Sequence, residues 1–287
     1  MTRPAAGPAE KSEVFKTADG ATLVGRLFHP DGPPRAVMVL NGAIAVQQDY
    51  YRHFAAYAAQ EHGVVVFTYD YRDMGRSASG PMRLARSTMS DWGLADQEAA
   101  RAKVRRLFPG LPLWIMGHSL GGMTMTMQTD REDIERLTCV ASGNVHYSDH
   151  PWPYRAKALM FWFGLAPLLT RAAGYLPGRH LGLGDDMPAS AYWQWRRWCS
   201  SMQTFGGDEG HIMPRPDWPA SGPRLRILAF ADDEVIPPHS VARLARDYDR
   251  GQQDVEIFSP KDLGLSAIGH FGAFARRNAA VWNHLMA

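Results

Sequence analysis

Residues 111–122 read LPLWIMGHSLGG, an apolar run leading directly into Gly117-His118-Ser119-Leu120-Gly121-Gly122. This is a G-x-S-x-G turn between a strand and a helix, the setting in which it carries chemistry. The serine there sits on a strained backbone so that its hydroxyl stands above the sheet. Side chains at 117 and 121 would collide with the neighbouring strand and helix, so glycine is required at both. A hydroxyl is a poor nucleophile without a base to take its proton. The chain offers one late, in Ile268-Gly269-His270-Phe271-Gly272, a loop between the last strand and the last helix. An acid that would orient His270 falls in residues 228–238, where Asp232 and Asp233 are adjacent. Asp233 with Pro237 fits an Asp-x-x-x-Pro spacing, which leaves Asp232 as a turn or capping residue. Asp149, after the sixth strand, is the other position an acid could take. Nucleophile, acid and base in the order Ser119, Asp233, His270 point to acyl transfer through a covalent intermediate.

Such chemistry builds negative charge on the substrate oxygen, and amide donors must meet it. Ser119 opens a helix, so the Leu120 N–H and the helix dipole face the developing oxyanion. The second donor is expected from the loop Leu40-Asn41-Gly42-Ala43-Ile44-Ala45. Gly42 lets the chain turn closely over the nucleophile. The Ala43 N–H ranks first as donor and Ile44 second.

Elements that could hold these residues follow from hydropathy. Strand candidates at 13–17 and 22–28 flank Asp19-Gly20, a hairpin signal. Buried-strand runs lie at 36–40, 64–69, 113–116, 137–141, 225–230 and 254–258. Helical stretches at 50–61, 91–107, 120–129, 240–248 and 273–286 alternate with them. This order predicts an eight-stranded, mostly parallel sheet with helices on both faces and the site at the carboxyl ends of its strands. The stretch 144–222 breaks the rhythm: it is rich in aromatics, lacks a convincing strand, and reads as short helices broken by Pro and Gly. It is expected to form a helical cap on a core of residues 13–143 and 223–287. Met123, Met125 and Met127 are expected to pack beneath the nucleophile.

Composition narrows the function. Lys and Arg number 31 against 29 Asp and Glu, a net charge of +2, which gives no basic field for nucleic acid. The cluster Arg101, Lys103, Arg105 and Arg106 shares its helix with Asp96 and Glu98, and reads as a solvated face. No phosphate or dinucleotide loop follows the first strand of the sheet, so no cofactor is expected. His146, Asp149 and His150 lack the spacing of a metal site. The longest apolar run, 158–169, is too short to span a bilayer and contains Pro167. Residues 1–12 lack the apolar core of a signal peptide. Cys139 reads as a small buried hydrophobe, and two cysteines, Cys139 and Cys199, make no disulfide framework. A soluble protein of a reducing, cytoplasmic compartment is expected.

These residues resemble the α/β-hydrolase superfamily across nearly the whole chain. The resemblance is to a bacterial branch related to serine-aminopeptidase-like and monoacylglycerol-lipase-like hydrolases. It rests on Asn41-Gly42-Ala43, the stretch Tyr69-Asp70-Tyr71-Arg72-Asp73-Met74-Gly75-Arg76-Ser77, Asp91-Trp92-Gly93, Gly117 to Gly122, Trp195-Arg196-Arg197-Trp198-Cys199 and Ile268 to Gly272. It implies the α/β-hydrolase fold with a cap inserted after strand 6. The resemblance also implies a serine hydrolase in which Ser119, Asp233 and His270 are catalytic. Many lipases and esterases carry His-Gly at the oxyanion loop, where this chain has Asn41-Gly42. The Tyr69–Ser77 stretch is expected to shape the loop beside the site rather than touch substrate. The aromatic cap implies a small-molecule substrate with an apolar acyl or alcohol group. A carboxylic ester is the first expectation. A peptide or amide, a thioester or a lactone are the alternatives.

Overall fold

The structure, a computed structural model, describes residues 10–218, 222–249 and 255–287. The expected strand start at Asp254 and the N-terminal reading of residues 1–9 lie outside the described residues. Strands β1 (Glu10–Lys16) and β2 (Thr22–Phe28) form the expected hairpin around Asp19 and Gly20, with Gly20 at φ +92°. They are followed by β3 (Ala36–Asn41), β4 (Val64–Tyr69), β5 (Leu113–His118) and β6 (Ile134–Val140). Two very short strands, β7 (Tyr175–Leu176) and β8 (Met187–Pro188), pair apart from the sheet. Then come β9 (Arg224–Phe230) and β10 (Val255–Phe258). The eight-stranded sheet has the order β1-β2-β4-β3-β5-β6-β9-β10, antiparallel at its first two junctions and parallel in the rest.

β3, β4 and β5 are buried at every residue. Their side chains alternate between two cores: Val37 and Val39 face one, Ala36, Met38 and Leu40 the other. A strand covered on both faces needs no polar alternation, which is why these read as continuous apolar runs. Helices α1 (Arg52–His62), α2 (Gln97–Leu107), α3 (Leu120–Met123), α4 (Tyr154–Leu159), α5 (Leu165–Ala173), α6 (Ala189–Cys199), α7 (Pro238–Asp249), α8 (Gly269–Gly272) and α9 (Trp282–Met286) complete the layers.

Three helices depart from expectation, and a side-chain hydrogen bond to a backbone carbonyl lies at each departure. The helix expected at 120–129 stops at Met123. Tyr248 Oη donates to Gly122 O, and Thr124 Oγ1 donates to Gly93 O. The helix expected at 273–286 is broken at Asn278, at φ −109°, whose amide donates to Ala267 O and Gly272 O. A π-turn at Asp91–Asp96 precedes α2, and its Gly93 carbonyl also accepts from Gln128 at 2.8 Å.

Residues between β6 and β9 form α4, a π-turn Met160–Gly164, α5 and α6, together with the β7–β8 pair that hydropathy missed. Two-residue strands are too short to show a period. These helices share one continuous core with the sheet, joined through Trp162, Tyr192 and Trp198. Trp162 meets Trp195 edge-on at 4.8 Å between ring centroids. Cys139 and Cys199 are buried free thiols. Among the described residues no helix is long and apolar enough to cross a membrane.

Candidate active site

Ser119 lies between β5 and α3 at φ 54°, ψ −117°, a conformation costly for a residue with a Cβ. Its neighbours explain why the chain accepts it. A Cβ on Gly117 would sit 2.3 Å from Gly121 O, and one on Gly121 would sit 2.1 Å from Asn41 O. The turn is therefore pressed against both β3 and its own helix, and only glycines fit. The Ser119 N–H is tied to Val140 O at 3.0 Å, which leaves the hydroxyl facing the cavity above the sheet.

His270 lies on α8 at the carboxyl edge of the sheet. Its Nδ1 is 2.9 Å from Asp233 Oδ2, and both side chains are buried. The other oxygen of Asp233 accepts the Val235 and Ile236 N–H groups, each at 2.8 Å. An ionised carboxylate only accepts, so Nδ1 carries the hydrogen and Nε2 is left with a free lone pair. Asp232 points elsewhere: its Oδ2 accepts the Ile268 N–H at 2.8 Å and so holds the loop before His270. Asp149 is paired with Arg243 at 2.8 Å and makes no contact with His270. The geometry therefore brings His270 to Asp233 rather than to either alternative acid. Ser119 and His270 line the same cavity, though no hydrogen bond joins their side chains. Such bonds commonly tighten only once substrate is bound.

The structure sets the two candidate donors of the oxyanion loop in different surroundings. The Ala43 N–H, expected first, is occupied: it donates to Tyr51 Oη at 2.8 Å. The Ile44 N–H makes no hydrogen bond to the described residues, and Ile44 lines the cavity. The Leu120 N–H, at the start of α3, has no intrahelical acceptor. Leu120 and Ile44 thus each present an amide that no described acceptor occupies.

Tyr51 and His118 were not singled out by sequence. His118 Nε2 lies 3.0 Å from the His270 carbonyl, which can only accept, so Nε2 carries the hydrogen. His118 Nδ1 must then accept from Tyr51 Oη, 2.8 Å away. Burial, together with the nearby His270, pushes the His118 pKa down to about 3, so the ring stays neutral. The result is one directed chain from Ala43 N–H through Tyr51 and His118 to the backbone of His270. Asn41 braces the same loop, donating to Gln97 at 3.2 Å and to Gly121 O at 3.4 Å, while Tyr69 Oη donates to its oxygen. Tyr51→Phe strands the Ala43 N–H and His118 Nδ1 in the core. It should lower unfolding free energy by about 1–3 kcal/mol in urea titrations. It should also reduce kcat with little change in KM. A rise in kcat would return the Ala43 amide to the donor role.

Arg72 and Arg76 serve the loop and stay out of the cavity. Arg72 Nε pairs with buried Asp96 at 2.7 Å, and the Arg76 N–H donates to Asp70 at 2.9 Å. His150 Nδ1 is 2.9 Å from Glu234 O, and among the described residues no His, Cys, Asp and Glu cluster is arranged to hold a metal. Met125 and Met127 are core residues, whereas Met123 reaches the cavity floor.

The cavity itself measures about 840 Å³ and lies between the sheet edge and the inserted helices. Phe161, Trp162, Trp195 and Trp198 form much of its roof, and Val235 and Ile236 part of its wall. No Asp or Glu lines it among the described residues.

A profile of the alpha/beta hydrolase family matches residues 37–277. No curated protein matches the chain in sequence. In solved structures the chain is similar to a soluble variant of monoglyceride lipase from Saccharomyces cerevisiae, at TM-score 0.64 and 17% identity, covering 99% of this chain and 96% of that one. It is also similar to an esterase from Pyrococcus furiosus (TM-score 0.59, 12% identity, 97% and 90% covered). A third likeness is to an α/β serine hydrolase without a lid from Xanthomonas campestris (TM-score 0.56, 12% identity, 99% and 96% covered). At these identities the likenesses establish the fold.

Proposed function

The chain belongs to the alpha/beta hydrolase family, and on that premise we propose that it is a serine hydrolase cleaving carboxylic esters with an apolar acyl or alcohol group. The observation that carries this reading is the meeting of Ser119 and His270 on one apolar cavity, with His270 held through Nδ1 by an anchored Asp233. His270 Nε2 takes the Ser119 proton as Oγ attacks the carbonyl carbon. The Leu120 and Ile44 amides receive the oxyanion, each contributing about 3 kcal/mol to the transition state. The imidazolium, stabilised by Asp233, then protonates the departing alcohol. Water, deprotonated by His270, releases the acid and restores Ser119.

An ester is favoured over a peptide by the lining. A peptidase that recognises a free amino terminus needs a carboxylate in its pocket, and among the described residues none lines this cavity. A panel of p-nitrophenyl esters and matching anilides tests the reading. Each methylene buried against the roof is worth about 0.8 kcal/mol, so kcat/KM should rise about fourfold per added methylene until the cavity is full. Anilides should be cleaved far more slowly. Faster cleavage of aminoacyl anilides than of any ester would replace the ester reading with an aminopeptidase.

A further inference from the structure

The roof of the cavity has an outer side that its catalytic reading leaves unused. From α4 through the π-turn to the end of α5, Met160, Phe163, Leu165 and Leu168 are exposed, Met160 at 61% and Leu168 at 65%. Trp152, at the amino end of the same segment, is 65% exposed. A soluble protein rarely leaves so many large apolar side chains on one short stretch without an occupant. The inner residues Ala158, Trp162, Ala166 and Thr170 recur at helical spacing and are buried, so the exposed set occupies the outward face.

Charge says what the face meets. Residues 150–184 contain no Asp or Glu, although they carry Arg155, Lys157, Arg171 and Arg179. Arg179 pairs with Asp185, whereas Arg155, Lys157 and Arg171 form no ion pair among the described residues. Lys157 and Arg171 are both exposed and lie at opposite ends of the apolar face. An apolar strip bounded by cations that lie over Trp152, Tyr154 and Trp193 but pair with no carboxylate among the described residues matches the chemistry of an anionic lipid surface, with side chains entering the acyl boundary and cations meeting headgroups. Two residues of the strip, Met160 and Leu165, also line the cavity, so its rim and the docking face are continuous.

We propose that this face of the inserted helices docks reversibly on anionic bilayers, lying in the interface rather than spanning it. Docking would present the cavity rim to apolar substrates dissolved in the lipid. That purpose rests on the ester-hydrolase reading, but docking itself does not, and the test separates them. Ser119→Ala protein is mixed with phosphatidylcholine vesicles, with or without phosphatidylglycerol, and sedimented. Binding should appear with the anionic vesicles and weaken in high salt. The double variant Phe163→Asp/Leu168→Asp should lower the vesicle-bound fraction roughly tenfold. In an otherwise wild-type chain it should leave p-nitrophenyl butyrate hydrolysis unchanged. Protein that stays in the supernatant with anionic vesicles overturns the proposal. So does a double variant that sediments like its parent. A dimer in sedimentation equilibrium that the double variant dissociates would assign the face to a second copy of the chain instead.

Discussion

Ser119→Ala should reduce turnover of p-nitrophenyl butyrate by a factor on the order of 10⁴ or more, without altering the fold. In the proposed mechanism the hydroxyl is the atom that forms the covalent bond, and no neighbouring serine replaces it at the head of α3. Alanine keeps the Cβ that Ser119 already carries at φ 54°, so the backbone strain is unchanged. Ser119 Oγ makes no hydrogen bond to the described residues, so its removal strands no partner. The urea unfolding midpoint of the variant should match that of the parent. Residual hydrolysis above the solvent rate is expected, since the amides and the cavity still bind the ester. Activity within about tenfold of the parent would mean that the chemistry lies elsewhere.

Asp233→Asn should be nearly as damaging, costing roughly 10³–10⁴-fold in kcat. The reason is a count of acceptors. Asp233 presents one oxygen to His270 Nδ1 and the other to the Val235 and Ile236 N–H groups. Asparagine has a single oxygen. Two backbone donors hold that oxygen in the loop, which turns the amide NH₂ toward Nδ1. His270 must then accept at Nδ1 and carry its hydrogen on Nε2, the wrong tautomer for the base that the proposed mechanism requires. Asp232→Asn retains an oxygen for the Ile268 N–H and should lose less than about tenfold. The reverse ranking of the two variants would exchange their roles.

What could be read from sequence was whatever local sterics or strand burial dictate. Gly117 and Gly121 announce the turn because a Cβ at either would strike backbone within 2.3 Å. β3 to β5 show themselves because both faces are buried, and His270 and Asp233 because each follows a strand at the sheet's carboxyl edge. What could not be read depends on side chains reaching across the fold. The Tyr51 hydroxyl spans 67 positions to His118 and occupies the Ala43 amide. No periodicity carries that information. A tyrosine eight residues beyond Ala43 and a histidine inside the turn were the only signals. The interruption after Ser119 has the same origin, since Tyr248 reaches across the fold to take Gly122 O, and the break at Asn278 coincides with its amide reaching back to Ala267 O and Gly272 O.

The most direct test of Ser119 as the nucleophile is covalent. Protein treated with a fluorophosphonate should gain the mass of one phosphonyl group, located by peptide mapping on Ser119, and Ser119→Ala protein should gain none. An unlabelled parent protein, or equal labelling of the Ser119→Ala variant, would contradict the assignment.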